Sequence, residues 1–368
     1  MKKIYRNARI ITGGKIIDGH EIITENGIIT AIAENGSETG EVIDLEGKFI
    51  APGFIDIHCH GGGGAEFIDG SEEAIKTACK IHASHGTRVI FPTISATDYE
   101  TTFKALEGIE KVKDECDCII PGVHLEGPYM SPKMVGGQAA ESIRKPIKEE
   151  YTALVERFGS LIARWTYAPE EDEGDEFLSF IRSKGIVASA GHTNGEYEHI
   201  KSAFDKGCNL ITHLYSCTST ITRVGGFRHL GVIESAYLID DMFVEAIGDG
   251  KHLPPELLKM IIKIKGYDRV CLITDALRPG GIGKEGEGKV FDDCAVPYII
   301  EDGVAKLPDR SAFAGSIATT DILLDTAVKA GIPIEKAVLM LTETPAKVMG
   351  LKDFGRIAPG YRAEFTIL

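Results

Sequence analysis

The chain has 368 residues, of which 43% are hydrophobic and 26% are charged. This balance is ordinary for a globular protein, which excludes general disorder and supplies enough apolar material for a large core. The 55 acidic and 40 basic residues give a formal net charge of -15, and Lys and Arg form no block. The charge therefore argues against nucleic acid or an anionic membrane as the main partner.

The sequence also contains no segment of the kind that inserts into a membrane. No run approaches the roughly 18 apolar residues that a membrane helix needs. The basic residues at positions 1–9 are not followed by an apolar stretch, so we expect no signal peptide. The eight cysteines are scattered without a CxxC pair or a disulfide framework. We therefore expect reduced thiols and a cytoplasmic location.

Short β-rich runs make up the first fifty residues. They cover residues 4–11, 15–17, 21–24, 28–32 and 41–44. The dipeptides Gly13-Gly14, Asn26-Gly27 and Asn35-Gly36 separate them, and Asn-Gly between apolar runs is a strong hairpin signal. Strand character returns in residues 355–368. The pattern predicts a small β-sandwich domain built from residues 1–51 and 355–368.

From residue 52 onward, strands alternate with helices, which is typical of a parallel sheet. Helices are predicted at residues 72–84, 149–158 and 196–205, among others. The strand candidates are 54–58, 88–93, 119–125, 163–168, 187–191, 210–214, 243–247 and 270–274. Eight such units favour an α/β fold with a (β/α)8 TIM barrel over residues 52–354.

Two further sequence features bear on the predicted barrel. A doubly wound open sheet is the alternative architecture, but no GxGxxG sequence follows the first strand, as dinucleotide-binding sheets of that type require. Residues 280–312 are rich in glycine and contain a strand-like run at 294–300. We expect these residues to be an insertion before the last helix.

Potential metal ligands stand at the ends of the predicted barrel strands. His58 and His60 lie two residues apart on the first strand, so their side chains share a face and can hold one ion. Four more candidates end the third, fifth, sixth and eighth strands: Glu126, His192, His213 and Asp275. All six fall at the carboxyl edge of the barrel, where the active sites of this fold form. The sequence therefore predicts a metal site. His252 follows the seventh strand and is expected to face the same opening.

These residues carry a family resemblance. Residues 52–61, Pro-Gly-Phe-Ile-Asp-Ile-His-Cys-His-Gly, are similar to the opening of the amidohydrolase superfamily barrel. Four further segments narrow the resemblance to the N-acetylglucosamine-6-phosphate deacetylases of that superfamily: His124-Leu125-Glu126-Gly127-Pro128, Gly191-His192-Thr193, Thr212-His213-Leu214-Tyr215 and Ile273-Thr274-Asp275-Ala276. The resemblance covers nearly the whole chain, including Ala314-Gly315-Ser316.

The resemblance implies a specific set of ligands. Glu126, His192 and His213 would hold one divalent metal ion. His58 and His60 would hold a second ion, with Glu126 bridging the two. Some family members replace the two histidines of the HxH motif and work with one ion, whereas this chain keeps both. Zinc, iron, manganese and cobalt all suit such ligands.

The resemblance also implies roles in catalysis and substrate binding. Asp275 would be the general base and acid, and His252 a substrate contact. The family's phosphate-binding arginine, contributed by the neighbouring subunit of a homodimer, matches Arg228 better than Arg223. Two segments that face the substrate in the family differ here. Ser216-Cys217-Thr218 replaces Asn-Ala-Met, and Gly136-Gly137-Gln138 stands where some relatives have a histidine. Gln138, Ser216 and Cys217 are therefore expected at the substrate.

The expected function is metal-dependent deacetylation of N-acetylglucosamine 6-phosphate to glucosamine 6-phosphate and acetate. Three alternatives stay open. The substrate could be a related sugar phosphate such as N-acetylgalactosamine 6-phosphate. A cyclic-amide hydrolase of the same fold would carry a carboxylated lysine on the fourth strand, but residues 163–168 contain no lysine. A scaffold without activity would be expected to have lost ligands, and all six are present.

Overall fold

The computed structural model describes residues 1–292, 294 and 296–368. Its first strands are β1 (Lys2–Arg6), β2 (Arg9–Thr12), β3 (Lys15–Ile17), β4 (His20–Glu25), β5 (Ile28–Glu34), β6 (Glu41–Asp44) and β7 (Phe49–Pro52). The β-rich run 4–11 is two strands in different sheets, because Asn7 between them adopts a left-handed conformation with φ 56°. The Asn26-Gly27 hairpin is confirmed: both residues have positive φ, and β4 pairs with β5 in antiparallel register.

The central part of the chain forms the predicted barrel. Its strands and two flanking hairpins are β8 (Phe54–Cys59), β9 (Gly61–Gly62), β10 (Ala65–Glu66), β11 (Thr87–Ile94), β12 (Val123–Glu126), β13 (Ile162–Tyr167), β14 (Val187–Ala190), β15 (Cys208–Ile211), β16 (Thr222–Val224), β17 (Phe227–His229), β18 (Phe243–Ile247) and β19 (Val270–Ile273). Eight of them pair in parallel in the order β8-β11-β12-β13-β14-β15-β18-β19. The N–H of Asp275 donates to the carbonyl of His58 at 2.9 Å, which joins the last strand to the first. The (β/α)8 barrel is confirmed, and the open sheet is excluded.

Helices cover the outside of the barrel. They are α1 (Glu72–Ser84), α2 (Tyr99–Val112), α3 (Lys148–Phe158), α4 (Glu176–Ser183), α5 (Tyr197–Asp205), α6 (Val232–Leu238), α7 (Pro255–Lys265), α8 (Thr320–Lys329), α9 (Ile334–Leu341) and α10 (Glu343–Val348). In α1 the Ser71 hydroxyl accepts from the N–H of Ala74, and Ile75, Ala78 and Cys79 form the buried face. Such a cap and such spacing produce a helix that packs on one side. Among the described residues, none of the helices has the length and apolar character needed to cross a bilayer.

Residues 280–312 contain most of a small antiparallel sheet. Its strands are β20 (Val290–Phe291), β21 (Tyr298–Glu301), β22 (Val304–Lys306) and β23 (Phe313–Gly315). The predicted strand run 294–300 includes residue 295, which lies outside the described residues, and the described strand begins at Tyr298. Placing this insertion before the last helix is wrong, since three helices follow it. Gly331, with φ 88°, separates α8 from α9, and non-helical Thr342 separates α9 from α10.

Both ends of the chain meet in the small β-sandwich. The last strand, β24 (Phe365–Ile367), pairs with β7 in a sheet of order β24-β7-β2-β3, and the second sheet has the order β5-β4-β1-β6. Side chains from the two sheets share one apolar cluster, which contains Ile10, Ile22, Ile29 and Ile50. Because β7 leads directly into β8, this cluster anchors the first barrel strand. The division of the chain at residue 52 stays a prediction.

Candidate metal centre and substrate pocket

A cavity of about 300 Å³ lies at the carboxyl ends of the barrel strands. Nine of the predicted site residues line it: His60, Glu126, Gln138, His192, His213, Ser216, Cys217, His252 and Asp275. His58 is fully buried beneath the cavity. Ala312, at the end of the insertion, and Phe313 and Ala314 of β23 also contribute to the lining, so the small antiparallel sheet borders the cavity.

Glu126 is the centre of the buried cluster. Its Oε1 atom lies 3.4 Å from Nε2 of His58, 3.2 Å from Nε2 of His192 and 2.8 Å from Nε2 of His213. Its Oε2 atom lies 3.3 Å from Nε2 of His60. Four imidazoles from three different strand ends therefore point the same nitrogen at one carboxylate.

A second carboxylate lies beside the HxH motif. The Nε2 atoms of His58 and His60 are 3.3 Å apart, because alternate residues of a strand share a face. Oδ1 of Asp275 lies 3.4 Å from the first and 3.2 Å from the second. Asp275 and two ligand candidates, His192 and His213, have positive φ values of 50°, 46° and 26°. Left-handed backbone at non-glycine residues is costly and often concentrates at functional sites.

The other ring nitrogen of each histidine is held by the protein. The Nδ1 partners are Glu245 Oε2 at 3.1 Å for His58, Ser95 Oγ at 2.9 Å for His60, the Met134 carbonyl at 2.9 Å for His192 and the Ser216 carbonyl at 3.1 Å for His213. Carbonyl oxygens and ionised carboxylates only accept hydrogen bonds, so Nδ1 must carry the proton in three of these rings. The Nε2 lone pair is then available in the neutral ring. Metal-binding histidines are typically held in this way.

The charges in the cluster favour a cation. Burial lowers the pKa of His58, but the carboxylates of Glu126, Glu245 and Asp275 outweigh burial and raise it to about 10. The pKa of His60 likewise rises to about 9, because Asp275 and Glu126 outweigh burial. Burial raises the pKa of Glu126, yet the surrounding histidines lower it well below its usual range. Protons and metal ions compete for such donors, and nitrogen with carboxylate oxygen suits a divalent metal.

Two triads in the cluster have ligand atoms within 4.8 Å of one another: His58, Glu126 and His213 form one, and His58, His60 and Asp275 form the other. The residues present therefore fit one or two divalent ions.

The segments that differ from the family lie on the cavity wall. Gln138 Nε2 donates to Glu126 Oε2 at 2.6 Å, and Gln138 Oε1 accepts from the N–H of Ala96 at 2.9 Å. Cys217 lies against Gly136, where a Cβ atom would come within 2.2 Å of the Cys217 sulfur. The two departing segments are thus in contact, because a side chain at position 136 would require the Cys217 side chain to move.

His252 is fixed at the edge of the cavity. Its Nδ1 lies 2.7 Å from Oδ2 of Asp249, and its ring packs on Phe313 with centroids 4.9 Å apart. Because Asp249 occupies Nδ1, Nε2 is the nitrogen available to a bound molecule.

Arg228 lies away from these residues. It is on the exposed hairpin of β16 and β17, opposite Arg223 in the antiparallel register, and it does not line the cavity. Directly opposed residues of antiparallel strands lie on the same face, so the hairpin carries two neighbouring positive charges. Phe227 beside them is 77% exposed. Within one chain the structure does not bring Arg228 to the cluster.

Two charged residues beneath the cluster, Glu245 and Arg164, are not among the predicted site residues. Both side chains are fully buried, on β18 and β13, and they form an ion pair with each other. The available signal was a charged residue in the middle of each apolar strand, since such residues are rarely buried without a partner.

Comparisons with known proteins agree with this geometry. A family model described as "Amidohydrolase family" matches residues 49–368. An N-acetylglucosamine-6-phosphate deacetylase of Haemophilus influenzae is 30% identical, over 100% of this chain and 95% of the relative. An N-acetylgalactosamine-6-phosphate deacetylase of a Shewanella species is 27% identical, over 98% of this chain and 90% of that protein. The crystal structure of the N-acetylglucosamine-6-phosphate deacetylase from Pasteurella multocida superposes with a TM-score of 0.91 at 26% identity, covering 100% of this chain and 95% of that one.

Proposed function

The chain belongs to the amidohydrolase family, and we propose that it removes the acetyl group from N-acetylglucosamine 6-phosphate, giving glucosamine 6-phosphate and acetate. One observation carries the proposal. Four imidazole Nε2 atoms and the carboxylates of Glu126 and Asp275 converge at a cavity in the barrel mouth. The names of the full-length relatives supply the substrate class.

Glu126, His192 and His213 would hold one divalent metal ion, and His58 with His60 would hold a second, with Glu126 within reach of both groups. Such an ion polarises an amide carbonyl and lowers the pKa of water. The anchored Nδ1 atoms keep the rings in place for this purpose. The donor set is compatible with zinc, iron, manganese or cobalt.

Asp275 is the proposed proton carrier. Burial raises its pKa, but the neighbouring His58 and His60 outweigh burial and lower it, so the carboxylate is ionised and can accept a proton. It takes the proton from the water that attacks the acetyl carbonyl. It then donates this proton to the nitrogen of the departing amine as the carbon–nitrogen bond breaks. The products are acetate and the free amino sugar.

The remaining lining residues would orient the sugar. His252 offers Nε2, and Gln138, Ser216 and Cys217 form the wall beside Glu126. A cavity of about 300 Å³ lies at the lower end of the usual range for small-molecule sites. These side chains are uncharged or weakly basic, which suits the hydroxyl groups of a sugar.

None of the described residues that line the cavity is a lysine or an arginine, so the phosphate requires a cation from elsewhere. We propose that Arg228 of the partner subunit supplies it in a homodimer. The exposed hairpin supports this part of the proposal, because Arg223 and Arg228 lie side by side and Phe227, the first residue of β17, is exposed beside them. A guanidinium can bind a phosphate through two parallel hydrogen bonds.

The galactosamine epimer, N-acetylgalactosamine 6-phosphate, is a second candidate substrate. The Shewanella relative is named for the galactosamine epimer, and the Ser216-Cys217-Thr218 wall differs from the family pattern.

The domain division and the location of the protein are further parts of the proposal. We also propose that residues 1–51 and 355–368 form the small domain and that residues 52–354 form the hydrolase barrel. All eight cysteines lie among described residues as free thiols, which supports a cytoplasmic location.

A substrate panel tests the proposal. The metal-loaded protein is assayed with N-acetylglucosamine 6-phosphate, its galactosamine epimer, unphosphorylated N-acetylglucosamine and a cyclic amide. We expect the highest kcat/KM for N-acetylglucosamine 6-phosphate. A higher value for the epimer would reassign the sugar, and a higher value for the cyclic amide would refute the deacetylase.

A further inference from the structure

Beneath the metal-ligand cluster lies a carboxylate that neither holds a metal nor faces the cavity. Glu245, in the middle of β18, is fully buried. Its Oε2 atom lies 3.1 Å from Nδ1 of His58 and accepts a hydrogen bond of 3.1 Å from the backbone N–H of His213. It therefore contacts two proposed metal ligands on two different strands.

Arg164 holds this carboxylate from the opposite side. Its Nη1 donates to Glu245 Oε1 and to the carbonyl of Ile57. Its other nitrogens donate to the hydroxyls of Ser189 at 2.9 Å and Thr212 at 2.8 Å. The guanidinium thus links β13 to β8, β14, β18 and the residue that follows β15, and all three of its nitrogens have hydrogen-bond acceptors.

The pairing fixes the chemical state of Glu245. Both of its oxygens face donors, since the Arg164 guanidinium donates to Oε1 in an ion pair and the backbone N–H of His213 donates to Oε2, so both oxygens act as acceptors. An ionised carboxylate only accepts hydrogen bonds. Nδ1 of His58 must therefore be the donor, which leaves Nε2 of His58 directed at the group formed with His60, Glu126 and Asp275.

We propose that the Arg164–Glu245 pair is a positioning device for the second metal ion, the one assigned to His58 and His60. Glu245 sets the tautomer and the ring orientation of His58, and Arg164 sets the position of Glu245. The inference builds on the metal site of the proposed function. It adds that the affinity of one ion depends on a pair of side chains outside the cavity. The ion at Glu126, His192 and His213 depends on the pair less, because Glu245 contacts only the backbone N–H of His213, whose ring is held by the Ser216 carbonyl.

The test is the Glu245→Gln substitution, which keeps the size of the side chain but removes its charge. Metal-free protein is titrated with zinc, and the metal content is measured after dialysis. Loss of a partner that orients a metal-binding histidine typically costs about 10–100-fold in metal affinity. We expect one zinc ion bound as in the unaltered protein and a second bound about 10–100-fold more weakly.

A matched control separates positioning from general stability. Glu21 is also a fully buried carboxylate paired with an arginine, Arg6 at 2.6 Å, but it lies in the β-sandwich and contacts no metal ligand. Glu21→Gln should lower the melting temperature and leave both zinc affinities unchanged. If Glu245→Gln does the same, the pair is only structural and the inference is refuted.

A milder variant keeps the inference testable if Glu245→Gln fails to fold. Ser189→Ala removes one acceptor of Arg164 and touches no ligand, and it should weaken the second zinc ion in the same direction by less. If Glu245→Gln does not fold, unchanged zinc binding in Ser189→Ala refutes the inference. The inference is also refuted if the unaltered protein binds a single zinc ion. Protein that binds two ions in the expected way but releases no acetate would refute the proposed function alone.

Discussion

The cluster of proposed metal ligands and the β16–β17 hairpin differ in how far their side chains are buried and held by neighbours. In the cluster, His58 and Glu126 are at most 1% exposed, and every predicted ligand lies within 3.4 Å of a neighbouring one. On the hairpin, Phe227 is 77% exposed, and the exposed Arg228 side chain donates a hydrogen bond of 3.2 Å to the carbonyl of Gly226. The residues proposed for bond cleavage thus all come from one chain, whereas the proposed phosphate contact comes from a second chain.

The largest expected effect on turnover comes from a substitution in the buried cluster, whose residues all belong to one chain. Asp275→Asn keeps the shape of the side chain but cannot accept a proton, so turnover should fall by roughly 10²–10⁴-fold. The measurement is kcat on N-acetylglucosamine 6-phosphate, with metal content as the control. Near-normal turnover at unchanged metal content would show that Asp275 is not the proton carrier.

The Arg228→Ala substitution tests the proposed phosphate contact on the β16–β17 hairpin. Removing one partner of a desolvated charge pair costs roughly 2–5 kcal/mol, so kcat/KM for the phosphorylated sugar should fall by about thirtyfold or more. The unphosphorylated sugar should be a poor substrate of both proteins and should change little. The matched control is Arg223→Ala, the opposed arginine of the same hairpin, for which we expect a smaller loss. If the ratio of the two substrates is the same in Arg228→Ala and the unaltered protein, Arg228 does not bind phosphate.

Mixing these two variants tests whether Asp275 and Arg228 of one site come from different chains. In a dimer of one Asp275→Asn chain and one Arg228→Ala chain, one site combines an intact Asp275 with an intact Arg228 from the partner subunit. Random reassociation of equal amounts should restore about a quarter of the specific activity, since half of the dimers are mixed and each has one intact site. No gain on mixing, with exchange of subunits verified by mass spectrometry, would place the phosphate contact within a single chain.

A smaller effect concerns metal content. The purified protein should hold two ions per chain, and the double variant His58→Gln, His60→Asn should hold about one, because Glu126, His192 and His213 remain as ligands. Elemental analysis against protein concentration provides the ratio. A ratio of one in the unaltered protein under metal excess would contradict the two-ion assignment but not the deacetylase.

Residues whose position follows from strand periodicity could be predicted from the sequence. The pair His58 and His60, the strand-end position of Glu126 and the barrel itself all follow from alternation and strand ends. Contacts that cross the barrel do not: Glu245 and His58 are 187 positions apart, and no local pattern connects them. The split of the run 4–11 was missed because it depends on the left-handed backbone of Asn7, which hydrophobicity does not record.

The most direct test of the account is the metal dependence of acetate release. Protein stripped with a chelator, and the same protein reconstituted with zinc or manganese, are incubated with N-acetylglucosamine 6-phosphate while acetate and free amine are both measured. We expect equal amounts of the two products from reconstituted protein and almost none from stripped protein. Full activity in the stripped protein, or no acetate from any metal-loaded form, would contradict the claim that this cluster is a metal-dependent deacetylase site.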